Sequence, residues 1–211
     1  TLPPFAFWSP EELVAHAATT RLSSARVGWD ITDYGVGDFH RQGLFLFTLR
    51  NGFQEHLTRG SGMCYAEKLL ISRQDQLSPM HTHRIKAEDI INRGGATMAV
   101  QLYGSDDDGN FDEGAGVTVL CDGVERRTAP GEALKFKPGE SIPLMPGQWH
   151  AYWGEGGDVL IGEVSTVNDD VTDNIFREPI GRFATIEEDE PPLHLLVSDY
   201  DAWRRYQVSP S

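Results

Sequence analysis

Three histidines and one glutamate have the types and the spacing needed to hold a metal ion. His81 and His83 are separated by one residue, Glu88 follows five positions after His83, and His150 lies about sixty residues further on. On a β-strand, residues i and i+2 point to the same face, so two imidazoles can reach one ion. Glu88 stands at an odd offset from His83 and would face away on a continuous strand. The spacing therefore predicts a bend over residues 84–87 as well as a metal site.

The donor set itself limits the ion and its chemistry. Three imidazoles and one carboxylate suit Mn, Fe, Co, Ni or Zn, and they leave two positions open on a six-coordinate ion. Oxygen atoms of a substrate can then bind the ion directly. The remaining histidines are interpreted as ordinary surface or core residues, and they are His16, His40, His56 and His194.

Composition excludes several classes of partner. The chain of 211 residues has a formal net charge of −14, which argues against a nucleic-acid or anionic-membrane surface, since these need clustered Lys and Arg. No apolar run approaches the roughly 20 residues of a membrane span. Cys64 and Cys121 are interpreted as buried thiols in a reduced compartment. We therefore expect a cytoplasmic protein that binds a small molecule and neither nucleic acid nor membrane.

The local patterns predict one helix followed by a protein that is almost entirely β. Ser9, Pro10 and Glu12 form a capping-box signal for a helix that runs to about Arg21. Short strands separated by glycine, proline or aspartate indicate a sandwich or a closed barrel. They are predicted at residues 29–34, 44–49, 65–72, 98–103, 117–121, 132–136, 150–153 and 159–164. We expect a single domain over residues 1–211, with an N-terminal extension of about 1–60, a barrel of about 61–170 and a C-terminal extension of about 171–211.

The metal motif resembles the two-part pattern of the cupins. The run His81-x-His83-x4-Glu88-x6-Gly95 fits the first part, although Asp75 replaces its usual upstream glycine. In the second part Gly139 and the run 146–150 (PGQWH) are present, but Met145 stands where proline is usual. The resemblance implies an all-β fold, the double-stranded β-helix or jelly-roll barrel, with an N-terminal helix and a few peripheral helices.

Longer stretches resemble the D-lyxose isomerase family of cupin sugar isomerases. They are residues 79–95 (PMHTHRIKAEDIINRGG), 29–35 (WDITDYG), 163–170 (EVSTVNDD) and 179–183 (PIGRF), so that the likeness extends over about residues 29 to 200. It implies a homodimeric aldose–ketose isomerase that interconverts D-lyxose with D-xylulose and D-mannose with D-fructose. Its divalent cation is usually Mn²⁺, with Co²⁺, Fe²⁺, Ni²⁺ or Zn²⁺ as alternatives.

The resemblance also assigns roles to individual residues. The ligands would be His81, His83, Glu88 and His150, and the family's catalytic lysine and glutamate match Lys68 and Glu163. Such a pair meets the needs of the chemistry, because moving a proton between C1 and C2 through a cis-enediol requires a base as well as a Lewis acid. The alternative for both residues is a solvent-facing position on a strand. The candidate substrate-binding residues are Lys68, Asp170, Asp173, Arg182 and Trp149; for the last four the alternative is loop stabilisation.

Two other functions remain compatible with the same metal ligands. A cupin dioxygenase could use them to bind Fe(II) and oxygen, and a non-catalytic cupin could use them to bind a sugar. Neither alternative requires a lysine and a glutamate that transfer protons, whereas the isomerase does.

Overall fold

The structure is a computed structural model that describes residues 1–16, 19–181, 184 and 189–203. Its strands are β1 (Gly28–Thr32), β2 (Leu44–Asn51), β3 (Tyr65–Ser72), β4 (Ser78–His83), β5 (Glu88–Ser105), β6 (Phe111–Asp112), β7 (Thr118–Cys121), β8 (Val124–Arg127), β9 (Ala133–Phe136), β10 (Ser141–Leu144), β11 (Trp149–Thr166) and β12 (Asn174–Phe176). Its helices are a 3-10 turn (Pro4–Phe7), α1 (Pro10–Ala15), α2 (Thr19–Ala25) and α3 (Gln54–Arg59). Within the described residues, the helices are too short or too polar to cross a membrane.

The predicted N-terminal helix begins where expected but ends early. The side chain of Ser9 accepts a hydrogen bond from the backbone of Glu12, whose carboxylate accepts one from the backbone of Ser9. The prediction of one helix to Arg21 is wrong, because α1 ends at Ala15 and His16 is extended. The ring of His16 stacks on Trp8 at 4.2 Å between centroids. This tertiary contact lies at the end of the helix, and the neighbouring residues in the sequence do not predict it.

The long strand β11 lies at the centre of the main sheet. One of its edges pairs with β5 along nearly its whole length, and the other pairs with β4 near its start and β3 near its end, all antiparallel. The two strands predicted at 150–153 and 159–164 are therefore one strand. A shift in register between Glu155 and Val159 separates them, at Gly156 and Gly157, which both have positive φ.

Strands from both predicted extensions join this sheet. β1 pairs with β2, which pairs with β3, and β12 pairs with β4. β12 was not predicted, since three residues are too few to show a period. β1 ends at Thr32, two residues earlier than predicted, because Asp33 accepts hydrogen bonds from the backbones of Gly35 and Gly37 and closes a turn.

The inner faces of the strands meet in one apolar cluster. Alternate residues of neighbouring strands point to the same side, and the largest side chains are almost completely buried. They include Leu46, Leu70, Ile90, Met98, Val100, Leu102, Phe136, Ile142, Leu144 and Ile161. A second cluster joins Leu13 of α1 to Leu195 and Tyr200 near the C-terminal end of the described chain.

Two residues within the run 81–95 hold the first half of β5 in place. Gly95 has φ of +95°, and a Cβ there would lie 2.2 Å from the carbonyl oxygen of Asp158. Only glycine therefore fits this approach of β5 to β11. Asn92 is fully buried, and its amide donates to the carbonyls of Ala96 and Phe136. Both contacts fix β5, which begins at Glu88, against its neighbours.

Candidate functional site

The four predicted ligands come together through strand pairing. His81 on β4 is the direct partner of His150 on β11, and His83 follows two residues along β4 on the same face. Glu88 is the first residue of β5. One ligand atom from each residue lies within 4.8 Å of the others, and all four residues are buried. This group could hold a metal ion.

The predicted bend between His83 and Glu88 is confirmed, since the strand is interrupted over residues 84–87. Asp173 holds the bend in place. Its carboxylate accepts hydrogen bonds from the backbone N–H groups of Ile85 at 2.8 Å and Lys86 at 3.0 Å. The bend corrects the odd offset and brings the Glu88 carboxylate to the histidines.

Backbone carbonyls orient two of the imidazoles. The Nδ1 atom of His81 lies 2.8 Å from the carbonyl oxygen of Pro79, and Nδ1 of His150 lies 3.1 Å from that of Gln148. A carbonyl only accepts, so Nδ1 carries the hydrogen in both rings. Nε2 then keeps the lone pair that a metal needs. Nε2 of His150 is buried and lies 3.1 Å from Oε1 of Glu88 in a direction that does not satisfy hydrogen-bond geometry.

The electrostatics keep these groups in the forms that bind metal. Burial and the neighbouring imidazoles of His150 and His83 lower the pKa of His81 well below its usual value. Burial and the charge of Lys86 lower the pKa of His83. Burial alone would raise the pKa of Glu88, but Lys86 and His83 outweigh it and hold that pKa well below the usual value. Neutral imidazoles, an ionised carboxylate and a buried Nε2 without a hydrogen bond fit a divalent ion.

Lys68 and Glu163, the predicted catalytic pair, are both buried and lie beside the metal ligands. They are direct cross-strand partners on β3 and β11, and Nζ of Lys68 is 3.3 Å from Oε1 of Glu163. Lys68 also donates to Oδ1 of Asn168 at 2.6 Å and lies 3.6 Å from Oδ1 of Asp170. The solvent-facing alternative for both residues is therefore wrong.

Lys86 is a residue of this site that the sequence analysis missed. Its Nζ lies 2.6 Å from Oε2 of Glu88 and 3.1 Å from Oε1 of Glu163, the same oxygen that Lys68 contacts. Burial disfavours its charge, but the carboxylates of Glu163, Glu88 and Asp170 outweigh burial and raise the pKa of Lys86 above its usual value. Strand periodicity could not have identified it, because Lys86 lies in the bend over residues 84–87.

A cavity joins His81, His83 and Glu88 to Lys68 and Lys86. Charged, apolar and hydroxyl-bearing side chains all form part of its wall. Its lining includes His81, His83, Glu88, Lys68, Lys86, Glu163, Asp170, Asn174, Thr32, Tyr34, Ser78, Tyr152, Phe176, Leu44, Leu46, Leu70, Ile90 and Ile161.

The other predicted substrate-binding residues have different positions. Asp170 lines the cavity. Trp149 is not among the described residues that line it; its indole donates to Ser105 Oγ at 3.0 Å and packs edge-on against Phe111. The carboxylate of Asp173 is engaged by the bend. Arg182 lies outside the described residues.

The fold and the site together define a cupin with three histidines and one glutamate as the candidate metal ligands. Among solved structures, the chain is similar to an L-ribose isomerase from Cellulomonas parahominis in complex with L-psicose, with a TM-score of 0.54 and 16% identity over 83% of this chain and 95% of that one. The L-ribose isomerase from Geodermatophilus obscurus gives a TM-score of 0.53 at 14% identity, over 82% and 89% of the two chains. At these identities the likeness concerns the fold.

Sequence comparison identifies the family. The sequence model of the D-lyxose isomerase family matches residues 1–200. The D-lyxose/D-mannose isomerase of Serratia proteamaculans is 47% identical over 94% of this chain and 88% of that protein. The D-lyxose/D-mannose isomerase of Escherichia coli O157:H7 is 43% identical over 96% and 90%. The chain belongs to the D-lyxose isomerase family and is a sugar isomerase, which decides against the dioxygenase and the non-catalytic cupin.

Proposed function

We propose that this protein is a metal-dependent aldose–ketose isomerase that converts D-lyxose to D-xylulose and D-mannose to D-fructose. The observation that carries the proposal is the placement of Lys68, Lys86 and Glu163 in one cavity with three of the four candidate metal ligands, His81, His83 and Glu88. The names of the two relatives support the choice of sugars. A pentose and a hexose that share their configuration at C2 and C3 present the same atoms to these groups.

His81, His83, Glu88 and His150 would hold the ion, and we propose Mn²⁺, with Co²⁺, Fe²⁺, Ni²⁺ and Zn²⁺ as the alternatives that the donor set also suits. When bound, a divalent ion supplies a Lewis acid for the two substrate oxygens at C1 and C2. The Nδ1 hydrogen bonds of His81 and His150 orient the rings for this role. The positive charge of Lys86 lowers the pKa of Glu88 and so favours its ionised form.

Glu163 and Lys68 would transfer the protons. A carboxylate removes the proton at C2 of the aldose, a cis-enediol forms, and a proton is returned to C1 while the hydroxyl proton moves from O2 to O1. Glu163 is buried against the amino groups of Lys68 and Lys86. Lys68 and Lys86 supply positive charge beside the substrate oxygens on which negative charge develops. Asp170, which lies near Lys68, is proposed to bind a sugar hydroxyl.

The test is a conversion assay with purified protein under argon. Metal-free protein should be inactive, and Mn²⁺ should restore the conversion of D-lyxose to D-xylulose and of D-mannose to D-fructose. Each of the other four ions is assayed in the same way. Absence of conversion with every ion, or activity that chelation does not abolish, would overturn the proposal. An oxygen electrode checks the dioxygenase at the same time, since an isomerase consumes no oxygen.

Two further proposals concern the state of the protein in the cell. Ile71, Leu160 and Val164 are exposed apolar side chains on the outer face of β3 and β11, which supports a homodimer that covers this face. Sedimentation equilibrium of wild type and Leu160→Glu tests it, and a wild-type monomer would contradict it.

Cys64 and Cys121 are free thiols, which supports a reducing, cytoplasmic location.

A further inference from the structure

A row of hydroxyl groups in the cavity has no role in the proton transfers described above. Tyr34 and Ser78 share a hydrogen bond of 3.0 Å between their hydroxyl oxygens, and Ser78 is the cross-strand partner of Tyr152. All three residues are buried, at 5%, 1% and 4% exposure, and all three line the cavity. Buried hydroxyls in a cavity wall are suited to binding the hydroxyls of a sugar, because each can both donate and accept.

A β-bulge turns Ser78 into the cavity. His81 pairs with His150, and Ser78 pairs with Tyr152, but β4 has two residues between these positions where β11 has one. The extra residue reverses the alternation, so Ser78 faces the same side as His81. The hydroxyl row therefore lies one layer along the strands from the metal ligands.

The turn after β1 brings Tyr34 to the same place. Tyr34 has φ of +57°, a left-handed conformation that is uncommon for a residue with a side chain. Hydrogen bonds hold it there: its N–H donates to Thr32 Oγ1 at 2.9 Å, and the carboxylate of Asp33 accepts from Gly35 and Gly37. The Tyr34 ring then packs edge-on against Phe176, which contacts the ring of His81. A backbone held in such a conformation is common where a side chain serves a binding site.

The distance from the metal ligands suits the length of a sugar. Tyr152 lies two positions after His150 on β11, which corresponds to about 7 Å along the strand. The carbon chain of a hexose, with bonds of about 1.5 Å, extends over roughly 6 Å. A sugar held by its first two oxygens near the histidines therefore reaches the hydroxyl row with its far end.

We propose that Tyr34, Ser78 and Tyr152 form a subsite that binds the sugar hydroxyls remote from the two reacting carbons. This inference rests on the proposed function and adds the residues that recognise the rest of the substrate.

The experiment compares parent and deoxy sugars in matched variants. We measure kcat/KM for D-mannose, 4-deoxy-D-mannose and 6-deoxy-D-mannose with the Mn²⁺-loaded enzyme, in wild type, Tyr34→Phe and Ser78→Ala. Wild type should favour D-mannose over at least one analogue by about tenfold, which is the effect of one lost hydrogen bond. Tyr34→Phe should lower kcat/KM for D-mannose by a similar factor and leave kcat/KM for that analogue within about twofold of its wild-type value. Ser78→Ala should change the same ratio, which is kcat/KM for D-mannose divided by kcat/KM for that analogue.

Controls separate recognition from a structural effect. Tyr65→Phe removes a hydroxyl from an exposed tyrosine of β3 and should keep every wild-type ratio, and metal content and circular dichroism should be unchanged in all variants. If Tyr34→Phe and Ser78→Ala slow all three sugars by the same factor, or wild type does not discriminate among them, the subsite is overturned while the isomerase stands. If wild type converts neither D-mannose nor D-lyxose, the proposed function fails and the subsite fails with it.

Discussion

Lys68 and Glu163 face each other directly across the antiparallel pair of β3 and β11, with Nζ of the lysine 3.3 Å from Oε1 of the glutamate. Both side chains are almost fully buried. Taking two charges out of water is costly, and a buried ion pair is weak support for stability. Since an apolar pair would fill the same space at no such cost, the arrangement indicates a functional role, and it lies beside the candidate metal ligands.

We first predict that Glu163→Gln keeps the metal and loses turnover. The amide preserves the shape of the side chain but cannot accept a carbon-bound proton, so kcat should fall by about 10²–10⁴-fold. Lys68→Met should also lower kcat strongly. Elemental analysis should find the ion at its wild-type level in both variants. Glu67→Gln on the same strand changes an exposed carboxylate that pairs with Arg50 and should remain active; turnover retained by Glu163→Gln would remove the glutamate from the mechanism.

The second prediction concerns Lys86, which the sequence analysis did not single out. Lys86→Met leaves the carboxylates of Glu88 and Glu163 without the charge that lies 2.6 Å and 3.1 Å away. We expect a loss of at least about 10²-fold in kcat, because both buried carboxylates lose a positively charged partner and the pKa of Glu88 is no longer lowered by Lys86. Lys137→Met, at a lysine outside this cavity, serves as control. Wild-type kcat in Lys86→Met would limit Lys86 to a structural role.

Third, the metal should stabilise the folded protein through His150. An ion that binds only the folded state adds about 2.7 kcal/mol at a concentration of 100 times Kd. The thermal midpoint of chelated wild type should therefore rise when Mn²⁺ is added, and His150→Gln should abolish both this rise and activity. The matched control is His40→Gln, which alters an exposed histidine. A rise of the same size in His150→Gln would show that the ion binds elsewhere.

Fourth, the chelated protein should lose stability on acidification. The folded protein holds the pKa values of His81 and His83 below their usual value of 6.5. Below about pH 6.5 the unfolded chain therefore binds protons that the folded chain does not, so the free energy of unfolding falls as the pH decreases from 7 to 5. Urea unfolding at several pH values measures the slope. His81→Gln should flatten it and His40→Gln should not; an unchanged slope in His81→Gln would contradict this cause.

Fifth, Asp173 and Asp170 should have separable effects. Asp173→Ala removes the acceptor of two backbone N–H groups in the bend and should cost about 1.5–3 kcal/mol of stability per charged hydrogen bond lost. It should also weaken metal binding, since the bend positions Glu88. Asp170→Asn should raise KM at wild-type metal affinity. Titration with Mn²⁺ and steady-state kinetics distinguish the two, and a raised KM alone in Asp173→Ala would restore its predicted substrate-binding role.

Residue types and spacing were sufficient to predict that His81, His83 and Glu88, three of the four candidate metal ligands, lie together. His81 and His83 share a face because a strand has a period of two, and Glu88 could join them only after the bend over residues 84–87. The capping box marked the start of α1, and β3 has the predicted bounds. These features depend on neighbours close in sequence, so local rules describe them.

The rest was decided by contacts between distant parts of the chain. Asp173 holds the bend from 88 residues away in sequence, and the bulge that turns Ser78 inward exists only because β4 pairs with β11. The position of Trp149 against Ser105 and Phe111 also depends on pairing. Sequence alone therefore identified the candidate metal ligands and the pair Lys68 and Glu163, whereas the tertiary structure added Lys86 and determined which residues share the cavity, because strand register sets the direction of each side chain.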